Sequence, residues 1–477
     1  MLTRGVDPAA AYPAVTVTRA VLGVSGADPG RVAVVDAASG RSVSYAELGA
    51  MVGDVASGLV SEGIGPGDVV GLHLPDGPEF AVALHAVIAA GAVPFPVDAA
   101  GLVDAVDAVG ACAVITSSGE FDGAARRLEF DVLRAGEPGC VPVPEADLDR
   151  DAALLACTRG PGRTVRLTHA EVVAGLVRVA DAGMIGGGDT VLSALPFSDV
   201  LGLNGVLNPA LRLGATVVGL GGHDLLRAMR DHRVTVAVLP PRLVEALAYD
   251  RAVARYDLHS LRAVVAAGGP LAAEDARAAA ARLGCPVRQA YGLAEAAGFT
   301  HLNLRAAEEG TLDSVGRGLP GVTWHIVNPR SGVSQASYQP GELCVRLPVA
   351  RTADVPVRWL PTGDSAFADD HGRVFVLGRV TGVRPDPPGE PESVLAAHPS
   401  VRDAAVVPAP DGDLGLAPHA FVVLAEPVSE IDLFRHVNGH VPRTRAVSAV
   451  HVVDEIPRTS DGQVRRRELL ERVGLSP

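Results

Sequence analysis

Ala263-Val264-Val265-Ala266-Ala267-Gly268-Gly269-Pro270-Leu271 decides the fold class of this chain. A strand-length apolar run is cut off by a glycine pair and a proline, the strongest punctuators of backbone structure. An alanine-rich helical stretch follows at 272–283, and then Gln289-Ala290-Tyr291-Gly292-Leu293-Ala294-Glu295. The same rhythm extends toward the N-terminus. Apolar runs fall at 190–195, 215–220 and 235–239, with a helical stretch at 224–232 between two of them. Further back, 68–74 reads as a strand and 78–90 as a helix. Strands alternating with helices predict an α/β fold with largely parallel sheets. After about residue 310 the pattern changes to shorter strands and turns, ending near Phe375-Val376-Leu377-Gly378-Arg379. A Pro/Gly-rich segment at 384–391 comes next. A compact piece closes the chain: a helix from Glu392, strands at 404–407 and 420–424, and a further helix. These shifts divide the chain into a large domain, 1–378, and a small one, 379–477.

The bulk composition narrows the function. The 477 residues are too many for one ordinary core. Hydrophobic content is 48% with only 4% aromatics, so aliphatics and alanine do the packing. The formal charge of −14 argues against nucleic-acid binding. Arg465-Arg466-Arg467 reads as a solvated helix start rather than a basic patch. The most apolar stretch, 80–97, carries His85, Gly91 and two prolines, so it reads as a buried helix running into a strand, not a membrane span. The cysteines, at 112, 140, 157, 285 and 344, are odd in number and form no C-x-x-C pair. With no signal-peptide pattern at the N-terminus, the expected location is the cytoplasm. The chain contains no lysine; its 41 Lys+Arg residues are all arginines.

Several motifs, in order, resemble those of the adenylate-forming (AMP-binding) superfamily, closest in flavour to coumarate–CoA ligases and bacterial acyl-CoA synthetases. Ser44-Tyr45-Ala46-Glu47-Leu48 and Gly65-Pro66-Gly67-Asp68-Val69-Val70 resemble its N-terminal segments. Ala156-Cys157-Thr158-Arg159-Gly160-Pro161-Gly162-Arg163-Thr164-Val165-Arg166-Leu167-Thr168-His169 resembles its phosphate loop. Small, hydroxylated and glycine residues suit a loop whose N–H and O–H groups close around phosphate oxygens. This copy keeps Thr158 and Gly160, has Cys157 for a glycine, and has Arg163 for the lysine. The resemblance assigns Gly268, Gly269, Pro270, Tyr291 and Gly292 to the adenine side, Glu295 to magnesium, and Asp364 and Arg379 to the ribose. An aromatic beside glycine offers a face for a purine, and a carboxylate accepts from two hydroxyls. Ala294 replaces the threonine that contacts the α-phosphate. Leu195-Pro196-Phe197-Ser198-Asp199-Val200-Leu201-Gly202-Leu203-Asn204 resembles the acyl-pocket segment, which makes Phe197, Asp199 and Leu203 its candidates. Asp199 reads either as a substrate contact or, preferably, as a helix cap.

The resemblance implies a fold of stacked α/β sheets with a small β-barrel-like part, followed by a small, mobile α+β C-terminal domain. It implies ATP or AMP with Mg2+, a carboxylic acid or its acyl-adenylate, and a thiol from CoA or the pantetheine of an acyl carrier protein. The closing motif, P-R-T-x-S-G-K-x-x-R-R-x-L in the family, reads here Pro457-Arg458-Thr459-Ser460-Asp461-Gly462-Gln463-Val464-Arg465-Arg466-Arg467-Glu468-Leu469. Gln463 holds the position of the catalytic lysine. After Arg379 the family's hinge aspartate position is Gly382, in a shortened, proline-rich segment. Two readings stay open: a ligase with impaired adenylation, and a non-catalytic pseudo-ligase that binds or scaffolds.

Overall fold

The computed structural model describes residues 3–4, 12–23, 26–98, 102–117, 121, 123–135, 145–158, 164–304, 312–328, 333–347, 359–379, 390–411, 415–440, 447–457, 469–470 and 472–474. The chain divides into two compact units. One comprises residues 4–323 with 346–360, and the other Met1–Thr3, Trp324–Val345 and Pro361–Pro477.

The larger unit is built on a nine-stranded sheet. Its strands run in the order Arg317–Gly318, Gly298–Leu302, Val287–Leu293, Ala263–Ala267, Val236–Leu239, Thr190–Ser193, Thr216–Gly219, Val32–Asp36, Ser42–Ser44. The central strands, from Val287–Leu293 across to Val32–Asp36, are all parallel. Antiparallel strands border them on both sides. The apolar runs at 190–195, 215–220, 235–239 and 263–267 therefore fold as expected. Val264, Val265, Val236 and Val238 are fully buried because both faces of a parallel sheet are covered. Helices Leu225–Asp231, Pro241–Tyr249 and Ala273–Leu283 connect these strands, and Gly284, at φ +70°, ends the last of them in the left-handed region.

A second, four-stranded parallel sheet orders Val93–Pro96, Val69–His73, Ala113–Thr116 and Arg126–Glu129. Helix Pro78–Ala89 leads into Val93–Pro96, the helix-to-strand passage expected for 80–97, and buries almost every side chain. Among the described residues no helix is long and apolar enough to cross a membrane. A hairpin, Ala152–Cys157 with Thr164–Thr168, feeds helix His169–Asp181. Thr168 and Glu171 cap that helix reciprocally, as Ser44 and Glu47 cap helix Tyr45–Ser61. Of the two N-terminal motifs, Ser44–Leu48 is thus a helix start, and Gly65–Val70 is a turn that enters the strand Val69–His73.

The four strands between 323 and 379 join Thr3–Arg4 in a five-stranded sheet ordered Thr3–Arg4, Thr323–Val327, Gly341–Arg346, Leu360–Ala368, Val374–Arg379. The barrel-like part expected from the resemblance is thus an open sheet, with no pairing among the described residues that closes it. The C-terminal piece is α+β. Val401–Asp411 pairs antiparallel with Gly415–Leu424, which pairs parallel with Ala449–Val452. Leu395 of helix Glu390–Ala396 and Leu433 and Val437 of helix Glu430–His440 pack against Ala404, Ala420 and Val422. Most of the Pro/Gly-rich segment at 384–391 lies outside the described residues.

Candidate functional site

Strand order places the site in the larger unit. After Thr190–Ser193 the chain lays Thr216–Gly219 on one flank and then crosses to lay Val236–Leu239 on the other. In open α/β sheets, ligands bind beyond the carboxyl ends of the strands where the order reverses in this way. At or just beyond the carboxyl ends of Thr190–Ser193, Ala263–Ala267 and Val287–Leu293 lie 194–199, 268–271 and 291–295, which hold the adenine and magnesium candidates and two of the acyl ones, Phe197 and Asp199.

Gly268 leaves its strand at φ +92°, a conformation that requires glycine. Gly269 has room for a side chain, since an added Cβ would sit 3.5 Å from Pro241 Cγ. The turn is held from the next strand. Gln289, 2% exposed, donates from Nε2 to the Leu271 carbonyl at 2.9 Å and the Leu312 carbonyl at 2.6 Å. Its Oε1 accepts from the Leu271 N–H at 3.2 Å. Gln289 sits inside the quoted motif, yet its pinning of the Gly268–Leu271 turn was not legible from it.

Tyr291 is half-buried, with its ring edge-on to His301 at 6.0 Å. His301 is fully buried, and burial, followed by the Arg178 guanidinium, pushes it down to about 3, so it is neutral at physiological pH. Gly292 sits at a bulge in the antiparallel pair with Gly298–Leu302. A Cβ there would lie 2.4 Å from the Gly298 carbonyl oxygen and 2.7 Å from Phe299 Cα. The glycine is required by the neighbouring strand's backbone. Glu295 is exposed in a 3-10 turn, Ala294–Ala296.

Thr158 follows its strand as a half-buried residue, while Gly160 and Arg163 lie outside the described residues. Burial and then Asp98 hold the Cys157 thiol above its usual range, which disfavours the reactive thiolate. Of the acyl candidates, Phe197 is 0% exposed with its ring 5.6 Å from Phe80, and Leu203 lies wholly in the core. Asp199 caps the turn Val200–Gly202, accepting the Leu201 N–H at 2.8 Å.

The Phe197 N–H donates to Asp76 Oδ1 at 2.8 Å. Burial lifts the Asp76 carboxyl to about 6; that N–H opposes the rise, and Asp98 and Asp36 add to it. An unfolded aspartate titrates near ~4. The native state therefore holds this proton more tightly. The resulting stability is fully present below about pH 4 and is lost as pH rises through about 6. Asp76→Asn keeps an acceptor and carries no charge. It is expected to raise the melting temperature by several degrees at pH 8 and to leave it near wild type at pH 4. Equal shifts at both pH values in a thermal melt would rule out charge burial as the cause.

In the smaller unit, Asp364 and Arg379 are register partners on neighbouring antiparallel strands. The Thr362 hydroxyl donates to the Leu343 carbonyl at 2.8 Å and accepts from the Asp364 N–H at 3.1 Å. Gly363 takes φ +71°, and its N–H donates to Glu342 Oε1 at 2.9 Å. Thr362 and Gly363 thus fix the strand segment that presents Asp364. Gln463, Arg458 and Arg465 lie outside the described residues.

Residues 24–155 and 158–351 match the family described as AMP-binding enzyme, and 390–463 match the AMP-binding enzyme C-terminal domain. The 4-coumarate–CoA ligase 2 of Oryza sativa subsp. japonica is 32% identical over 515 aligned residues, covering 92% of this chain and 89% of that protein. An ATP-bound RpMatB-BxBclM chimera superposes with a TM-score of 0.73 at 25% identity, covering 96% of this chain and 98% of the other. The O-succinylbenzoate coenzyme A synthetase of Bacillus subtilis, in complex with ATP and magnesium ion, superposes with a TM-score of 0.71 at 25% identity, covering 94% of this chain and 99% of that one. With these two family matches, at 24–155 with 158–351 and at 390–463, and a relative 32% identical across 92% of the chain, the chain belongs to the AMP-binding enzyme family, as an acyl-CoA synthetase-like member of the adenylate-forming superfamily.

Proposed function

We propose that this chain binds an adenine nucleotide, with a carboxylic acid or its acyl-adenylate, and that its adenylation step is impaired or lost. The observation that carries the reading is Gln463 at the lysine position in a chain without lysine. Adenylation brings an anionic carboxylate against an anionic phosphate. Glutamine can donate a hydrogen bond there but brings no charge. The adenosine positions, by contrast, retain their types: Tyr291 and Gly292, Asp364, and Arg379. We assign Tyr291 and the Gly268-Gly269-Pro270 turn to the adenine, Asp364 and Arg379 to the ribose, and Thr158, Gly160 and Arg163 to the phosphates.

Among the described residues no group of three or more His, Cys, Asp or Glu could hold a metal by itself. Glu295, a single exposed carboxylate, fits Mg2+ that arrives with a nucleotide, since this ion takes one or two carboxylates plus phosphate oxygens and waters. When bound, the ion neutralises phosphate charge. CoA or a carrier protein's pantetheine is the thiol acceptor if adenylation survives. We place the boundary of the small domain at 378/379, in the interval between the two family matches. A cytoplasmic location suits the free thiols Cys112, Cys157, Cys285 and Cys344. The second reading, a pseudo-ligase acting as a binding or scaffolding partner, is favoured by the same Gln463 together with Ala294 and Cys157.

AMP is expected to raise the melting temperature of the wild type, and Asp364→Ala to abolish the rise, because a ligand that binds only the native state stabilises it. No shift at millimolar AMP would overturn nucleotide binding.

A further inference from the structure

A set of buried polar groups lies behind the hairpin that carries Tyr291 and Glu295, and none of them belongs to the nucleotide motifs. Asn204, Asn208 and Arg178 are at most 1% exposed. Asn204 lies within a π-helical turn, Leu203–Leu207, a distortion that recurs at functional sites. Its Nδ2 donates to the Val172 carbonyl at 3.0 Å and to the Ala297 carbonyl at 2.7 Å. Its Oδ1 accepts from Asn208 Nδ2 at 3.0 Å. Arg178 Nη1 donates to the Phe299 carbonyl at 3.1 Å. Gly175 makes the approach possible, because a Cβ there would lie 2.2 Å from the Ala297 oxygen and 2.8 Å from Asn204 Nδ2.

The segment so gripped is strained. Ala297 sits at φ +53° without being glycine, and Gly298 follows at φ +123°. Such residues persist only where the surroundings over-determine them, and they cluster at functional sites. Ala297 is two residues beyond Glu295. Val172, Gly175 and Arg178 all belong to helix His169–Asp181, which starts directly after the hairpin of the phosphate loop. One amide and one guanidinium therefore tie the Glu295 turn to the helix that anchors that loop.

We propose that Asn204, supported by Arg178, is a positioning residue that fixes the Glu295 carboxylate relative to the phosphate-loop helix for metal-dependent nucleotide binding. The proposal rests on the nucleotide-binding reading above. Asn204 touches no ligand; it acts through the Ala297 carbonyl. Its loss shifts Glu295, whereas an adenosine monophosphate held through adenine and ribose contacts is little affected.

The test is calorimetric titration of the full chain with two probes: adenosine 5′-(β,γ-imido)triphosphate with magnesium, and AMP in EDTA. Asn204→Ala is expected to weaken the magnesium probe by about tenfold or more and AMP by less than about twofold. In a Glu295→Ala background, adding Asn204→Ala is expected to change the magnesium probe by less than about twofold further, since both substitutions remove one contact. Equal losses for the two probes, or full additivity with Glu295→Ala, would overturn the positioning role while leaving nucleotide binding intact. If Asn204→Ala does not fold, Arg178→Met, which keeps the volume and removes the Phe299 bond, is titrated in the same way and judged by the same outcomes. A wild type that binds neither probe overturns the functional reading, and the positioning role with it.

Discussion

Gly292→Ala is expected to lower the urea midpoint strongly. The added Cβ meets the Gly298 carbonyl oxygen at 2.4 Å and Phe299 Cα at 2.7 Å, both backbone atoms of a paired strand. Neither can swing aside as a side-chain terminus would, so the strand pair itself has to part. Overpacking of this kind costs about 1–3 kcal/mol, and a clash with backbone belongs at the upper end of that range. The bulge at Tyr291/Gly292 also aims the Tyr291 ring, so AMP affinity is expected to fall in the same variant. Gly269→Ala is the control. It is a glycine of the same candidate set, but its Cβ would meet Pro241 Cγ at an ordinary 3.5 Å. That variant is expected within about 0.5 kcal/mol of wild type. Denaturation curves for the pair decide the matter. Equal midpoints would mean that the close approach at Gly292 is not what demands glycine.

Pyrophosphate exchange by the wild type is expected to be about 10²–10³-fold below that of a lysine-bearing site, or undetectable. Removing even one neutral donor from a preorganised oxyanion site costs about that much, and here a full positive charge is replaced by a neutral amide. Gln463→Lys is expected to restore little. Cys157 in the phosphate loop, Ala294 beside Glu295 and Gly382 at the hinge position each remove a further element of the same cycle. Groups that act as one catalytic unit are strongly non-additive, so returning one seldom returns the rate. The assay is run against a panel of acids that includes 4-coumarate and O-succinylbenzoate. Robust exchange with Gln463 in place would sink the impaired-catalysis reading and make Arg163, Arg458 and Arg465 the first cations to mutate. A silent wild type and a silent Gln463→Lys variant that both still bind AMP would make the binding or scaffolding role the stronger account.

The sequence by itself determined what local chemistry can write. The short valine- and alanine-rich runs at 190–267 became parallel strands because their length, their β-branched residues and the Gly/Pro breaks at their ends act within a few residues. The reciprocal caps of Ser44 with Glu47 and of Thr168 with Glu171, which the structure shows, are equally local, their partners three residues apart. The missing lysine charge is also a fact of composition that no packing can alter. Non-local pairing decided the rest. The strand expected at 404–407 extends from Val401 to Asp411, through Pro408 and Pro410, because it lies at the edge of its sheet and pairs along its whole length with Gly415–Leu424. Gly292 looked like a concession to the ligand and is instead demanded by Gly298 and Phe299. Asn204 and Arg178 are single polar residues in apolar segments, and only the fold brings the carbonyls of Val172, Ala297 and Phe299 to them. A buried hydrogen bond needs both partners in place, and these lie 32, 93 and 121 residues apart along the chain.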